Sequence, residues 1–315
     1  MSQYPTMFDP STLVRKGFCR VSPGTPLAET HSLYYEQHGT GDKHVVMING
    51  LNTNSFSWDF QVRNLAPKHS VLVFDNRGCG YSEYPAGRYT TSGMAEDVIA
   101  LLDHIGWTST RQIHVVGASL GGMIAQELAS RIPHRIASLT LCVTTPGGRP
   151  WQNLPPWEGI RCLTHLLITK DVAKKVPTVM HMLYHASWLD APAENDPHGR
   201  TNRQVQTETY LRRVAFSPPQ LILGHVSQLG AALTHHVAPG RLREISRTVP
   251  KVVVLFGDED RLMDVRHSRA LLAAMPEAES VQWTETGHGI SSQRPARFRD
   301  LLIRVFNDAD AVRSQ

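Results

Sequence analysis

The sequence predicts a doubly wound α/β protein, a mostly parallel sheet wrapped by helices, with a helical cap inserted into it. Short apolar runs of strand length alternate with longer stretches of helical periodicity. Several runs are near-continuous in Val, Ile and Leu, the pattern of parallel strands covered on both faces. One interval, residues 146–247, breaks the alternation with helical patterns alone, far longer than a single crossover needs.

The expected strands are residues 44–48, 71–74, 112–116, 136–143, 252–256 and 281–283. The helices expected among them are 57–65, 92–105, 120–130, 267–275 and 295–305, the last opening on a proline that suits the first helical position. Residues 17–22 and 32–37 lead the chain as an antiparallel pair. In the long interval, helical patterns cover 158–168, 172–189, 203–214 and 221–234. Pro177 is expected to kink the second of these, and 190–200 is a polar loop. The interval holds three of the six tryptophans, Trp151, Trp157 and Trp188, with Met180 and Met182. The expected division is a core of residues 1–146 and 225–315 and a cap of 147–224, with no internal repeat.

Composition bounds the function. The 315 residues are 41% apolar and 19% charged, enough to bury a sizeable core. The net charge is only +4 and the basic residues are scattered, so no nucleic-acid partner is expected. Residues 1–10 carry no apolar run and no cleavage-site pattern, and no stretch reaches the roughly 18 apolar residues of a membrane span. Four cysteines, Cys19, Cys79, Cys142 and Cys162, lie far apart without metal or disulfide spacing. Cys142 sits in a strand pattern, where a buried free thiol is expected, and a reducing, cytoplasmic compartment follows.

The chemistry starts at Gly117-Ala118-Ser119-Leu120-Gly121, a G-x-S-x-G motif with a strand pattern before it and a helical one after it. A serine at such a turn takes a strained conformation that lifts its hydroxyl out of the sheet, and the glycines permit the close helix–strand approach. The backbone N–H of Leu120, at the start of the helix, is placed to hold a developing oxyanion. A serine hydroxyl needs a base. Of sixteen histidines, His288 in Thr286-Gly287-His288-Gly289 follows the last strand and precedes the final helix, so its loop reaches the carboxyl ends of the strands. The base needs an acid to fix its tautomer. Asp258, Glu259 and Asp260 all follow the strand that ends at Phe256, and chemistry alone does not choose among them.

With these residues the chain resembles the α/β-hydrolase superfamily, in particular its esterase, lactonase and non-haem haloperoxidase-like branch, which includes oxoadipate enol-lactonase. The resemblance spans residues 31–307 and implies an α/β-hydrolase fold that needs no cofactor and no metal. Its Gly-x-x-Asp pattern selects Asp260, completing an implied triad of Ser119, Asp260 and His288. Asp75-Asn76-Arg77-Gly78-Cys79-Gly80-Tyr81-Ser82 is similar to the D-x-R-G-x-G-x-S turn of that branch, and Met94-Ala95-Glu96-Asp97-Val98 to its helix before the nucleophile strand; both read as structural. Where the family shows His-Gly-x, this chain has Asn49-Gly50-Leu51, so the second oxyanion N–H is carried onto Leu51.

A small-molecule substrate with an apolar moiety is expected, with Asn52 and Trp157 as contact residues; Asn54 shares the loop of Asn52. The leading reaction is hydrolysis of a carboxylic ester, lactone or thioester through acyl-Ser119. Carbon–carbon bond hydrolysis or acyl transfer by the same triad is the neighbouring alternative, and a ligand receptor that keeps the triad is the alternative of another class. A serine at the elbow argues against epoxide hydrolase or haloalkane dehalogenase chemistry, where similar folds carry an aspartate. His181 and His185 are four apart on a helical pattern, but without a Glu or Cys partner nearby in sequence they are not expected to hold a metal; His235-His236 is read as capping a helix dipole.

Overall fold

The computed structural model describes residues 4–21, 30–194 and 196–313. Its strands are β1 (Leu13–Val21), β2 (His31–His38), β3 (Lys43–Ile48), β4 (His69–Phe74), β5 (Ile113–Ala118), β6 (Ile136–Cys142), β7 (Lys251–Gly257) and β8 (Glu279–Trp283). They form one sheet in the order β1-β2-β4-β3-β5-β6-β7-β8. β2 pairs antiparallel with both β1 and β4, and every pairing from β4 to β8 is parallel. Parallel neighbours need crossovers, and the helices supply them.

The helices are α1 (Asp59–Leu65), α2 (Thr91–Ile105), α3 (Leu120–Arg131), α4 (Trp157–Ile168), α5 (Val172–Leu183), α6 (Ala186–Asp190), α7 (Asn202–Phe216), α8 (Ile222–Leu233), α9 (Pro239–Thr248), α10 (Val265–Ala274), α11 (Ile290–Gln293) and α12 (Pro295–Arg313). The two-residue period of the strands divides the core in two. Val46, Ile48, Val252, Val254 and Phe256 face a cluster with α2, α3, α9 and α10. Val45, Met47, Val253 and Leu255 face the opposite cluster with α1 and α12. Each such aliphatic residue, fully buried, contributes about 1.5–3 kcal/mol. The near-continuous apolar runs are thus the imprint of a sheet covered on both sides.

Several boundaries differ from expectation. The first strand begins at Leu13 rather than Gly17, while Ser22, its expected last residue, and Asn195, in the expected 190–200 loop, lie outside the described residues. Helix α12 runs to Arg313 rather than 305, because Phe306 and Ala309 extend its buried stripe and Asp310 pairs with Lys43 at 2.8 Å. The stretch expected as one helix over 172–189 is two. The chain passes through Pro177 within α5, turns extended at Tyr184, and restarts as α6. Helix α9 has no counterpart among the expected elements, although Pro239 at its start and buried Leu242 and Ile245 were there to signal it.

The role expected of His235 is also overturned. It is buried beyond the end of α8, with Nδ1 2.8 Å from Thr91 Oγ1, and burial pushes its pKa down to about 4. A neutral imidazole has no charge to offer a helix dipole. Its effect is on pH stability: the folded pKa lies below the ordinary 6.5, so the unfolded chain binds the extra proton. Stability contributed by the neutral ring is full above pH 6.5 and falls as pH drops toward 4, by about 3 kcal/mol at most. His235→Gln should flatten the urea-unfolding midpoint across that window; an unchanged slope would locate the acid sensitivity elsewhere.

Candidate active site

The carboxyl ends of the parallel strands carry the chemistry-bearing loops, where open α/β sheets form their sites. Ser119 follows β5 with φ 55° and ψ −119°, a conformation costly for a residue with a Cβ. Three contacts hold it there. Its N–H donates to Cys142 O at 2.9 Å, and its carbonyl accepts from Thr144 Oγ1 at 2.7 Å. Gly117 and Gly121 allow the third, since a Cβ on Gly121 would lie 2.1 Å from Ile48 O and one on Gly117 2.4 Å from Gly121 O. Leu120 opens α3, so its N–H has no partner within the helix.

The loop after β3 lies against the nucleophile: a Cβ on Gly50 would sit 3.3 Å from Ser119 Cβ and 3.9 Å from Oγ. This brings the start of that loop against Ser119 and gives Asn49 a role. Asn49 is fully buried; its Nδ2 donates to Phe74 O at 2.8 Å and its Oδ1 accepts from Ser57 Oγ at 2.8 Å. Its carbonyl accepts from Asn76 Nδ2 at 3.0 Å. Asn49 therefore pins the end of β3 to the end of β4 and to the turn before α1. The following turn is fixed by Asp75, whose carboxylate accepts from Ser55 N and Tyr81 N at 2.7 and 2.8 Å. A Cβ on Gly80, at φ 55°, would strike that carboxylate at 2.0 Å. Arg77 forks onto Asp97 of α2 at 2.5 and 2.6 Å, so the two family-like segments hold each other.

Asp260 and His288 meet. His288 Nδ1 lies 2.8 Å from Asp260 Oδ2 and 3.0 Å from Oδ1, with side-chain exposures of 9% and 1%. Asp260 Oδ1 also accepts from the N–H groups of Leu262 and Met263, both at 2.8 Å. An ionised carboxylate can only accept, so Nδ1 carries the proton and Nε2 is left with its lone pair. Asp258 and Glu259 are exposed, and Asp258 Oδ1 accepts from Thr286 N at 3.3 Å. Gln293, buried beneath the histidine loop, accepts from Gly287 N at 2.9 Å and donates to Glu285 O at 2.6 Å.

The glycines beside His288 act through space rather than through backbone conformation. Neither takes a positive φ. A Cβ on Gly287 would lie 2.5 Å from Leu183 O, and one on Gly289 2.6 Å from the Tyr184 ring. They make room for the end of α5. There Leu183 O accepts from Gly289 N at 2.7 Å, while Arg261 Nη1 donates to His181 O at 2.6 Å and Tyr184 O at 3.1 Å. The last carbonyls of α5 are thus capped by the residues next to Asp260 and His288, which explains why the helix ends at Leu183. His181 Nε2 bonds Glu158 Oε1 at 2.6 Å and His185 falls beyond the helix, bonded to Ser187 Oγ at 2.7 Å, so the two histidines share no helix face. Among the described residues there is no group of three or more His, Cys, Asp or Glu that could hold a metal ion.

The expected substrate contacts stand further out. Asn52 is exposed at φ 57°, its N–H donating to Gln228 Oε1 at 3.2 Å. Asn54 Nδ2 bonds Ser217 Oγ, across to the segment after α7. Trp157 is 78% exposed at the start of α4, two residues before Gly159, where a Cβ would lie 2.5 Å from Arg261 O. Met180 and Met182, in contrast, are buried and serve packing.

A parallel sheet with a strained serine between β5 and α3 is the architecture of hydrolytic α/β proteins. The alpha/beta hydrolase fold profile matches residues 43–295, and the chain belongs to that family. Among curated relatives, a Caulobacter segnis protein carrying the name carbamate hydrolase RutD is 28% identical over 280 residues, covering 87% of this chain and 96% of the relative. Among solved structures, the enol-lactonase of Burkholderia xenovorans superposes with a TM-score of 0.69 at 23% identity, covering 88% of this chain and 97% of that one. A thermophilic esterase of Thermogutta terrifontis gives 0.71 at 20% identity, covering 94% and 99%. Among the described residues no helix is long and apolar enough to cross a membrane.

Proposed function

We propose that this protein is a serine hydrolase that cleaves a carboxylic ester, lactone or thioester through acyl-Ser119. The observation that carries the reading is the buried Asp260–His288 pair at 2.8 Å, on loops at the carboxyl ends of the same parallel sheet that carries a serine held at positive φ. Ser119 Oγ attacks the carbonyl carbon and His288 Nε2 takes its proton. The tetrahedral oxyanion is held by the N–H groups of Leu51 and Leu120. On collapse the imidazolium gives its proton to the departing alkoxide or thiolate. Water, deprotonated by His288, then attacks the acyl-enzyme and releases the acid and Ser119.

Residues 147–224 act as a cap that walls the acyl or alcohol pocket. Four buried free thiols fit action in a reducing compartment. A carbamate presents a similar carbonyl to the same nucleophile, and the relatives named for carbamate hydrolysis place that group beside esters and lactones as a substrate to test. The deciding experiment is covalent labelling. A fluorophosphonate should attach stoichiometrically, with the adduct on the Ser119 peptide by mass spectrometry; labelling that persists in Ser119→Ala would overturn the assignment.

Trp157 gives a second measurement. Its indole is largely solvated, so Trp157→Ala should change stability by no more than about 0.5 kcal/mol. It should still alter the ratio of rates on long and short acyl esters, because Trp157 stands on the rim beside the Asp260 loop. A uniform loss on all esters with a lower melting temperature would instead mark a packing residue.

A further inference from the structure

The loops that carry Asp260 and His288 are tied together at two levels. Near the sheet the ties are direct: Asp258 N donates to Trp283 O at 3.2 Å and Glu259 N to Thr286 O at 3.1 Å. Further out, both loops rest on the same end of the cap helix α5. Arg261, beside Asp260, donates from Nη1 to His181 O at 2.6 Å and to Tyr184 O at 3.1 Å. Gly289, beside His288, donates from its N–H to Leu183 O at 2.7 Å, and Ser292 Oγ lies 2.9 Å from Tyr184 OH.

These contacts close a ring. Asp260 Oδ1 accepts from Leu262 N and Met263 N, both at 2.8 Å, which fixes the carboxylate relative to the turn that contains Arg261. Arg261 fixes that turn on the end of α5, the end of α5 holds Gly289, and His288 closes the ring on Asp260 at 2.8 Å. Glu158 Oε2 stands 3.6 Å from Arg261 Nε, beyond hydrogen-bond reach, so the α5 carbonyls are what anchor the guanidinium. The direct ties near the sheet involve neither the carboxylate nor the imidazole. They set the bases of the two loops, whereas the ring sets their tips.

We propose that Arg261 is a positioning residue for the Asp260–His288 pair, and that the end of α5 sets the geometry in which His288 receives a proton from Ser119. This rests on the hydrolase reading above and adds to that site a residue that touches neither the substrate nor the reacting atoms. Functional side chains must be held to within about 0.5 Å of the productive geometry by such supporting bonds. The cap is then part of the frame of the site as well as the wall of its pocket.

The test uses the full chain and p-nitrophenyl butyrate, with rates divided by the number of sites that a fluorophosphonate labels at completion. Arg261→Met should lower kcat by about 10- to 100-fold and leave KM within about threefold of the parent. Arg261→Lys should recover part of the loss, because an ammonium can still donate to one carbonyl. A second readout needs no substrate. The proton between His288 Nδ1 and Asp260 should give a far-downfield proton NMR signal in the parent that is absent from Asp260→Asn. That signal should weaken in Arg261→Met and return in part in Arg261→Lys. A merely structural arginine would lower the melting temperature yet leave the signal and kcat per labelled site as in the parent. That result would overturn the positioning role and leave the hydrolase reading intact. If Arg261→Met does not fold, Arg261→Lys carries the test: kcat should still fall by about threefold or more, and a parent-like kcat and signal would overturn the proposal. If no ester is cleaved yet the signal depends on Arg261, the hydrolase reading fails and the positioning role stands.

Discussion

Asp260→Asn is expected to lower kcat by about 10⁴-fold, or roughly 5.5 kcal/mol of transition-state stabilisation, with the fold intact. Asp260 accepts from Leu262 N, Met263 N and His288 Nδ1, and its side chain is 1% exposed. An asparagine can satisfy the two backbone donors through its oxygen. Its amide then faces the imidazole, donates to Nδ1 and drives the proton onto Nε2, the atom that in the proposed mechanism receives one from Ser119. The matched control is Asp258→Asn. Asp258 is exposed and holds Thr286 N through Oδ1, a bond that asparagine keeps, so kcat should stay within about threefold of the parent. Steady-state kinetics on one good ester, with circular dichroism as the folding check, separates the outcomes. A dead Asp258→Asn beside an active Asp260→Asn would reverse the assignment.

Gly121→Val should prevent stable folding, at a cost above about 4 kcal/mol against a typical total of about 5–15. The first atom of any side chain at position 121 would meet Ile48 O at 2.1 Å, Ile48 C at 2.6 Å and Asn49 O at 2.7 Å, all main chain. No rotamer relieves a Cβ clash; α3 would have to withdraw from the end of β3, taking Ser119 with it. Gly240→Ala in α9 is the contrasting case, with nothing within 4 Å of the new methyl. It should raise stability by up to about 1 kcal/mol through helix propensity. Urea-unfolding midpoints measure both, and parent-like stability in Gly121→Val would mean that α3 and β3 are not held at this separation.

Local chemistry makes part of this protein legible from its residues alone. The paired faces of a buried sheet require apolar runs, so β3 to β7 can be located from Val, Ile and Leu without coordinates. The elbow is legible because its glycines are demanded by contacts within a few residues of Ser119, and its flanking strand and helix carry their own periodicities. The order serine, acid, histidine along the chain likewise belongs to the sequence.

Other features depend on partners that are remote in the chain. Arg261 looks like any loop arginine until the end of α5, 80 and 77 residues earlier, presents His181 O and Tyr184 O to it. Backbone carbonyls leave no residue-type signature, so neither this clamp nor the end of α5 could be read from composition. The glycines flanking His288 leave space for Leu183 and Tyr184, more than a hundred residues earlier, a purpose no local pattern marks. Asn49 departs from the family's histidine, and only the positions of Phe74, Ser57 and Asn76 show how it holds the loop. The sequence by itself determined the sheet, the elbow, the order of the implied triad and, through the Gly-x-x-Asp pattern, the choice of Asp260, because periodicity and turn chemistry act over a few residues. The tertiary structure alone decided what caps α5, what Asn49 holds and what the glycines beside His288 make room for, because those depend on distances between segments far apart in the chain.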